Sequence, residues 1–234
     1  MTDHEGMQAT VEGNTLVVRI DDGKANALSH ERIDAVHVML DRAETEASAV
    51  CFVGRPGMFS AGFDLKVMQA GPAAGTKLVR AGGELLMRLY VHPQPTVAAV
   101  TGHALAAGAL FVLACDTRWG PSDVPAKIGL NETAIGLSMP EFGAALAGAR
   151  LAPRAFTRAV VQAEIFDPPG ARDAGFLDRI VPADELEAGA IAEAQRLGEL
   201  PAPAYRATKR RVRGALAEGV LERLDDDLQS FVQP

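Results

Sequence analysis

Twice in this chain an apolar run stops at a turn of small residues and restarts as a helix. The first run is Val50-Cys51-Phe52-Val53. A glycine-punctuated stretch from Gly54 to Gly62 follows, and Asp64-Leu65 opens the helix. The second run is Thr96 to Thr101. It passes through Gly102 to Gly108 into the apolar segment Ala109-Leu110-Phe111-Val112-Leu113. Short apolar runs bounded by glycine read as buried strands. Glycine lets the turn bend sharply and lets bare backbone come close to a ligand. The first N–H groups of the following helix have no partner inside it and can hold negative charge. An ordinary turn between strand and helix has the same composition, so the argument rests on there being two of them.

The rest of the chain reads as follows. The first six residues are polar and fray. Met7 to Glu12 and Thr15 to Ile20 are two strands around a Gly13-Asn14 hairpin turn. Asp21 to Leu28 is a loop. Ser29 caps a helix from His30 to about Ala47, with Ile33, Val36, Leu40 and Ala43 on one face and His37 beside it as a solvated or core-edge histidine. Residues 71–76 form a mobile connection, and the helix after it runs to Tyr90, where Pro93 and Pro95 end it. Lys127 to Leu130 is a short strand leading to Asn131-Glu132. Ser138 and Glu141 suit a capping box near Pro140. Helices follow over 140–150 and 153–163, a short one over 167–175 ends in glycine, and 177–181 is a last strand. From residue 183 the pattern is helical, over 183–199, 203–217 and 219–232. Alternating strands and helices, with helices collecting at the end, predict an α/β fold with a core over 1–182 and a helical region over 183–234. Lys209, Arg210, Arg211 and Arg213 read as a solvated face. Leu216, Val220, Leu221, Leu224, Leu228 and Phe231 recur at near-helical spacing and predict an assembly surface.

Several function classes are disfavoured. The net charge of −7 argues against a nucleic-acid partner, which needs a basic face. No apolar run approaches the ~18 residues that span a membrane, and no signal pattern opens the chain. Cys51 and Cys115 both sit in apolar runs, as buried reduced thiols of a cytoplasmic protein do. The five histidines are scattered without ligand spacing, so no metal is expected. There is no Walker A loop, HExxH, CxxC or GxSxG. What remains is two backbone anion sites and one acidic residue at a strand end, Glu132.

FSAGFDL (59–65), GHALAAGALFVLACD (102–116) and IGLNETAIGLSMP (128–140) resemble, in order and separation, the three motifs of the crotonase superfamily of enoyl-CoA hydratases and isomerases. KANAL (24–28) is similar to that family's first CoA-contacting loop. GLNET, LLMRLY (85–90) and the apolar Leu110 resemble the mitochondrial-type Δ3,Δ2-enoyl-CoA isomerases in particular. The resemblance covers about residues 8 to 232. It implies a crotonase/ClpP-like spiral of ββα units, two roughly perpendicular sheets, and a C-terminal helical oligomerisation region forming trimers or hexamers.

It also implies site roles. The N–H groups of Ala61 and Ala107 would form an oxyanion hole for a thioester carbonyl. Glu132 would be the acid/base, with Asn131 shaping the pocket beside it. Lys24, Ala25, Gly62, Phe63, Asp64, Leu65 and Lys66 would hold CoA, which belongs to the substrate, so no separate cofactor is implied. Leu110 stands where family hydratases carry a second glutamate, and Ala107 stands where the family usually has glycine. The chemistry agrees with one carboxylate. Once the enolate oxygen is stabilised, a single base can take a proton from C2 of a 3-enoyl thioester and return it to C4. The expectation is isomerisation of 3-enoyl-CoA to 2-trans-enoyl-CoA in fatty acid metabolism. The alternatives are hydration, another crotonase reaction, or non-catalytic acyl-CoA binding.

Overall fold

Gly13, with φ +62, reverses the chain between β2 (Met7–Glu12) and β3 (Thr15–Ile20), as the hairpin signal predicted. The computed structural model describes residues 2–4 and 6–231, with side chains over 6–229. Residues 2–4, expected to fray, form β1 (Thr2–His4), which pairs antiparallel with β2; residues 1 and 5 lie outside the described set. Beyond the hairpin, β3 runs parallel to β4 (Ala49–Gly54), β4 to β6 (Thr96–Ala99), β6 to β8 (Thr117–Pro121) and β8 to β10 (Arg179–Val181). These strands make one seven-stranded sheet, ordered β1-β2-β3-β4-β6-β8-β10.

Strand β4 is apolar without alternation because both of its faces are covered. Val50 and Phe52 enter the main core. Cys51 and Val53 enter a second cluster against α8 (Ala183–Gly198), through Leu186, Ala190, Ile191 and Ala194. On the main-core side lie α1 (His30–Glu46), α3 (Pro72–Tyr90) and α4 (Ala107–Ala114). The Ser29 hydroxyl caps α1 as expected, accepting from the Arg32 N–H at 3.3 Å.

The two glycine turns are not simply turns. Each contains a strand, β5 (Gly57–Ser60) in the first and β7 (Gly102–Leu105) in the second. With β9 (Ile128–Gly129) they form a separate three-stranded sheet, ordered β5-β7-β9 and parallel throughout. Small residues dominate because the strands crowd each other. A methyl group on Gly102 would collide with the backbone of Gly57, and one on Gly108 with the carbonyl of Ser60. Each of β4, β6 and β8 in the large sheet thus passes next in sequence to β5, β7 and β9 in the small one. This alternation between the two sheets is the repeat of ββα units that the resemblance implied.

Helical boundaries differ from expectation where tertiary contacts outweigh local signals. Residues 72–76 belong to α3, with Pro72 at the first helical position, where a missing N–H costs nothing. The glycines of α3 are packing sites: Phe63 lies on Gly82, and Phe142 and Leu224 press on Gly83. A five-residue helix, α2 (Leu65–Gln69), precedes it. No capping box forms at Ser138. Pro140 is the N-cap of α5 (Glu141–Arg150), and the Glu141 N–H is accepted instead by Asp227 at 2.8 Å. Next come α6 (Pro153–Val160) and α7 (Pro168–Ala174), the latter capped by Asp167 and ended by Gly175 at φ +96.

The two terminal helices predicted over 203–232 are one, α9 (Ala202–Phe231). Gly214 and Gly219 do not break it, because α9 packs along α3 and α5 and buries Ala217, Val220, Leu224 and Leu228 there. The stripe read as an assembly surface is therefore largely spent within the chain. Only Leu221 of that stripe is strongly exposed among the described side chains, and the Phe231 side chain lies outside them. The basic cluster is likewise not one solvated face. Lys209 is buried, 2.5 Å from Asp116, and Arg213 is 2.6 Å from the other Asp116 oxygen. The Tyr205 hydroxyl donates to the same carboxylate at 2.9 Å. Arg210 and Arg211 are exposed, as predicted.

Candidate active site

Three loops leave the carboxyl ends of the parallel strands β5, β7 and β9, the edge of a parallel sheet where open α/β folds place ligands. They carry residues 61–66, 106–110 and 130–137. Their closeness is built into the backbone. Leu105 pairs with Gly129, and the Ala106 N–H donates to the Gly129 carbonyl at 3.0 Å. Gly62, at φ +95, lies against the second loop: a methyl group there would sit 3.0 Å from the Ala106 Cβ and 3.2 Å from the Ala107 nitrogen. Ala106 itself has φ +49 with ψ −128, a sparsely populated conformation outside the left-handed helical well that costs an L-residue about 1–3 kcal/mol. That strain turns the chain abruptly from β7 into α4.

Ala107 is the first residue of α4, so its N–H has no partner inside the helix, and among the described residues it donates to nothing. It points its share of the helix dipole toward the loop edge. The expectation for Ala61 is not met. Its N–H donates to the Ala25 carbonyl at 3.0 Å and is not free for a ligand. The Gly62 N–H donates to the Ser60 hydroxyl at 3.2 Å. Phe63 forms a parallel bridge with Leu28 in which the flanking groups pair, Leu28 N–H to the Gly62 carbonyl at 2.8 Å and Asp64 N–H to the Leu28 carbonyl at 3.0 Å. The Phe63 N–H faces away from that bridge and, among the described residues, donates to nothing. The first loop offers Phe63 rather than Ala61 as its open amide.

Glu132 follows β9 and precedes a short 3-10 turn, Thr133–Ile135. The N–H groups of Ile135 and Leu137 donate to its carbonyl at 3.1 and 3.0 Å, which fixes its backbone. Its residue surface is 7% exposed, and its Oε2 has no hydrogen-bond partner. Burial without a counter-charge pushes its pKa up, from 4.5 to about 7, against a smaller lowering by its own N–H. Asp116 makes the contrast. It too is buried, but Lys209 and Arg213 hold its carboxyl below the usual range despite desolvation. The neighbouring Asn131 Oδ1 is also buried and without a partner. Leu110, one turn into α4, is 1% exposed and lies against Gly143 beside Met139.

The remaining predicted ligand residues fall along one rim. The 24–28 loop and the 61–66 loop are stitched together by the bonds of Ala25 and Leu28 described above. Lys24 and Lys66 are exposed, and Leu65 is 63% exposed. Asp64 caps α2, accepting from the Lys66 N–H at 2.8 Å. Asn26, at φ +49 and 1% exposed, was not singled out from the sequence. Its amide donates to the carbonyls of Ile20, Met58 and Phe59, fastening the first loop to β5. An asparagine inside a loop that also needs φ above zero was the available signal. Among the described residues there is no cluster of ligating side chains for a metal, and no helix is long and apolar enough to cross a membrane.

Known proteins are similar to this chain in sequence and in fold. The sequence profile of the enoyl-CoA hydratase/isomerase family matches residues 10–234. The mitochondrial enoyl-CoA delta isomerase 1 of Homo sapiens is 31% identical over 220 residues, 92% of this chain and 73% of its own. Among solved structures, an enoyl-CoA hydratase/isomerase family protein from Pseudomonas syringae is similar at TM-score 0.93 and 38% identity, over 97% of this chain and 98% of its own. An enoyl-CoA hydratase from Mycobacterium ulcerans is similar at TM-score 0.91 and 31% identity, over 97% of this chain and 100% of its own. With two small-residue loops and Glu132 at one edge of its smaller sheet, this chain belongs to the crotonase family of enoyl-CoA hydratases and isomerases.

Proposed function

We propose that the protein isomerises 3-enoyl-CoA to 2-trans-enoyl-CoA with Glu132 as its single acid/base. The observation that carries this reading is a buried carboxyl group with an unpartnered oxygen, in a chain whose second acid/base position is the buried apolar Leu110. Hydration of a 2-enoyl thioester needs a water held and split, which family hydratases do with two glutamates. Isomerisation needs one base that removes a proton and returns it two carbons away.

In this mechanism the Phe63 and Ala107 N–H groups donate to the thioester carbonyl oxygen. Charge develops there as the C2 proton leaves, and one such donor in a dry, fixed site is worth about 3 kcal/mol. Glu132 takes the C2 proton and delivers it to C4 of the dienolate. A carboxylate raised to about 7 is a stronger base than an exposed one and is still ionised in a large fraction at neutral pH. Lys24 and Lys66 supply positive charge for the CoA phosphates. Both are exposed, so affinity for the CoA moiety falls as salt rises. Isomerase names among relatives support the reading, and hydratase names stand beside them. Assembly as a trimer or hexamer is a separate proposal, implied by the resemblance and tested by light scattering at micromolar concentration.

The test is to incubate the protein with 3-hexenoyl-CoA and with crotonyl-CoA. Conjugated 2-enoyl thioester appearing from the first, with little hydration of the second, is the expected result. Faster hydration than isomerisation would overturn the one-glutamate reading. Binding without turnover of either ester would make the protein an acyl-CoA binder.

A further inference from the structure

The turn at Lys24 is held from two sides. On its N–H side, the Asp22 carboxylate accepts from Lys24 N–H at 2.8 Å and from Asn26 N–H at 3.0 Å. On its carbonyl side, the Arg55 guanidinium donates from both Nε, at 2.8 Å, and Nη2 to the Lys24 oxygen. Those two nitrogens come from the same side chain, and among the described residues nothing else donates to that carbonyl. Within the turn, Gly23 N–H donates to the Asp21 carboxylate at 2.8 Å and Asp22 N–H to the Asn26 side-chain oxygen at 3.0 Å; these bonds hold the N–H side and leave the Lys24 carbonyl to Arg55.

Arg55 is well placed to act as a clamp because its own backbone is fixed. Its carbonyl accepts from the Thr101 hydroxyl at 2.7 Å and from the Met58 N–H at 3.0 Å, at the junction where β4 hands over to β5. Its side chain is part-exposed, and the nearest carboxylate, Asp21, is 4.0 Å away. A surface guanidinium usually turns to an acid. This one keeps only a loose ion pair with Asp21 and gives its hydrogen bonds from Nε and Nη2 to a neutral carbonyl across 31 residues of sequence.

We infer that Arg55 is a positioning residue for the CoA nucleotide, acting through the Lys24 turn. Resting on the acyl-CoA reading above, the inference gives Arg55 no contact with the reacting atoms. Asn26 and the bond from Ala61 to the Ala25 carbonyl anchor the rest of the loop independently, so removing Arg55 loosens the Lys24 end and leaves the Phe63 and Ala107 amides in place. Lys24 then no longer presents its ammonium at a fixed point on the rim.

The discriminating experiment compares two thioesters of 3-hexenoic acid, one of CoA and one of N-acetylcysteamine, which lacks the nucleotide. In Arg55→Ala the KM for the CoA ester rises about tenfold while kcat changes less than about threefold, as for loss of binding realised equally in ground and transition states. For the truncated ester, kcat/KM stays within about twofold of wild type. Equal losses on both esters, or no loss on either, overturn the inference. Should Arg55→Ala not fold, Arg55→Gln, which keeps one donor, shows the same pattern at smaller size. A wild type that does not prefer the CoA ester to the truncated one overturns the acyl-CoA reading itself, and a wild type that does, with an unaffected variant, overturns only the role of Arg55.

Discussion

The amide of Ala61 donates to the carbonyl of Ala25 at 3.0 Å, and that bond settles which N–H of the first glycine loop is open. With Ala61 closed and Gly62 turned onto Ser60, the open amide is that of Phe63, next to the glycine that touches the Ala107 turn. The proposed oxyanion pair is thus built from two loops whose contact requires a residue without a side chain between them.

Gly62→Ala tests that contact. The added methyl group meets Ala106 and the Ala107 nitrogen at 3.0 and 3.2 Å in a backbone at φ +95, so the loops must part. Displacement of this kind costs on the order of 100-fold. Isomerisation of 3-hexenoyl-CoA falls by about that factor in kcat while the protein remains folded by circular dichroism. Full activity in this variant removes the pair from the site.

Glu132→Gln keeps the shape and removes the base. Isomerisation falls by at least ~100-fold, the usual scale for a lost general base, with acyl-CoA affinity by calorimetry little changed. Stability moves the other way. The folded state raises the Glu132 pKa from 4.5 to about 7. Between those values the folded protein binds more protons than the unfolded chain, so the carboxyl lowers stability progressively as pH rises through that window. Below pH 4 there is no cost, and above pH 8 the full cost, on the order of 3 kcal/mol at most, is present. Urea titrations at pH 4 and pH 8 show Glu132→Gln stabilised at the higher pH alone.

The same displacement sets the pH–rate profile. A base must be ionised to act, so kcat/KM rises with pH and levels off above about 7 in the free enzyme. An inflection near 4.5, the value for an exposed glutamate, would mean that a different carboxylate is the base.

Leu110 divides two reactions. Wild type hydrates crotonyl-CoA at least ~100-fold more slowly than it isomerises 3-hexenoyl-CoA, because an apolar wall replaces one of two groups that position water. Leu110→Glu gains hydration only if the fold survives, since this position is 1% exposed and a new carboxylate there is buried. Urea titration measures the cost separately from activity.

Lys209→Met breaks a buried ion pair that joins α9 to the carboxyl end of α4. The Lys209 ammonium also donates to the carbonyls of His92 and Gln94, both at 2.8 Å. Removing Lys209 leaves Asp116 paired with Arg213 and Tyr205 but strips the two carbonyls of their donor, and costs about 1–3 kcal/mol in urea titration, with specific activity of the folded fraction retained. Arg211→Ala, on the exposed face of the same basic run, changes stability by no more than ~0.5 kcal/mol.

Much of this protein is legible in its chain. Hydrophobic runs located β2, β3, β4 and β6, Ser29 and Gly175 marked helix ends, and ordered motifs singled out Glu132, Leu110 and Ala107 for the proposed site. Those features depend on period, capping and local turn chemistry, which are properties of neighbouring residues. Tertiary structure alone decided the rest. Strands β5 and β7 exist because each finds a partner far along the chain, not because their own residues favour extension. Lys209 is buried because Asp116, 93 residues away, meets it. Phe63 rather than Ala61 has the open amide because Ala25, from another loop, occupies the first. A backbone N–H is the same group at every position, so its availability is set by the hydrogen bonds it makes across the fold and cannot be read from residue identity.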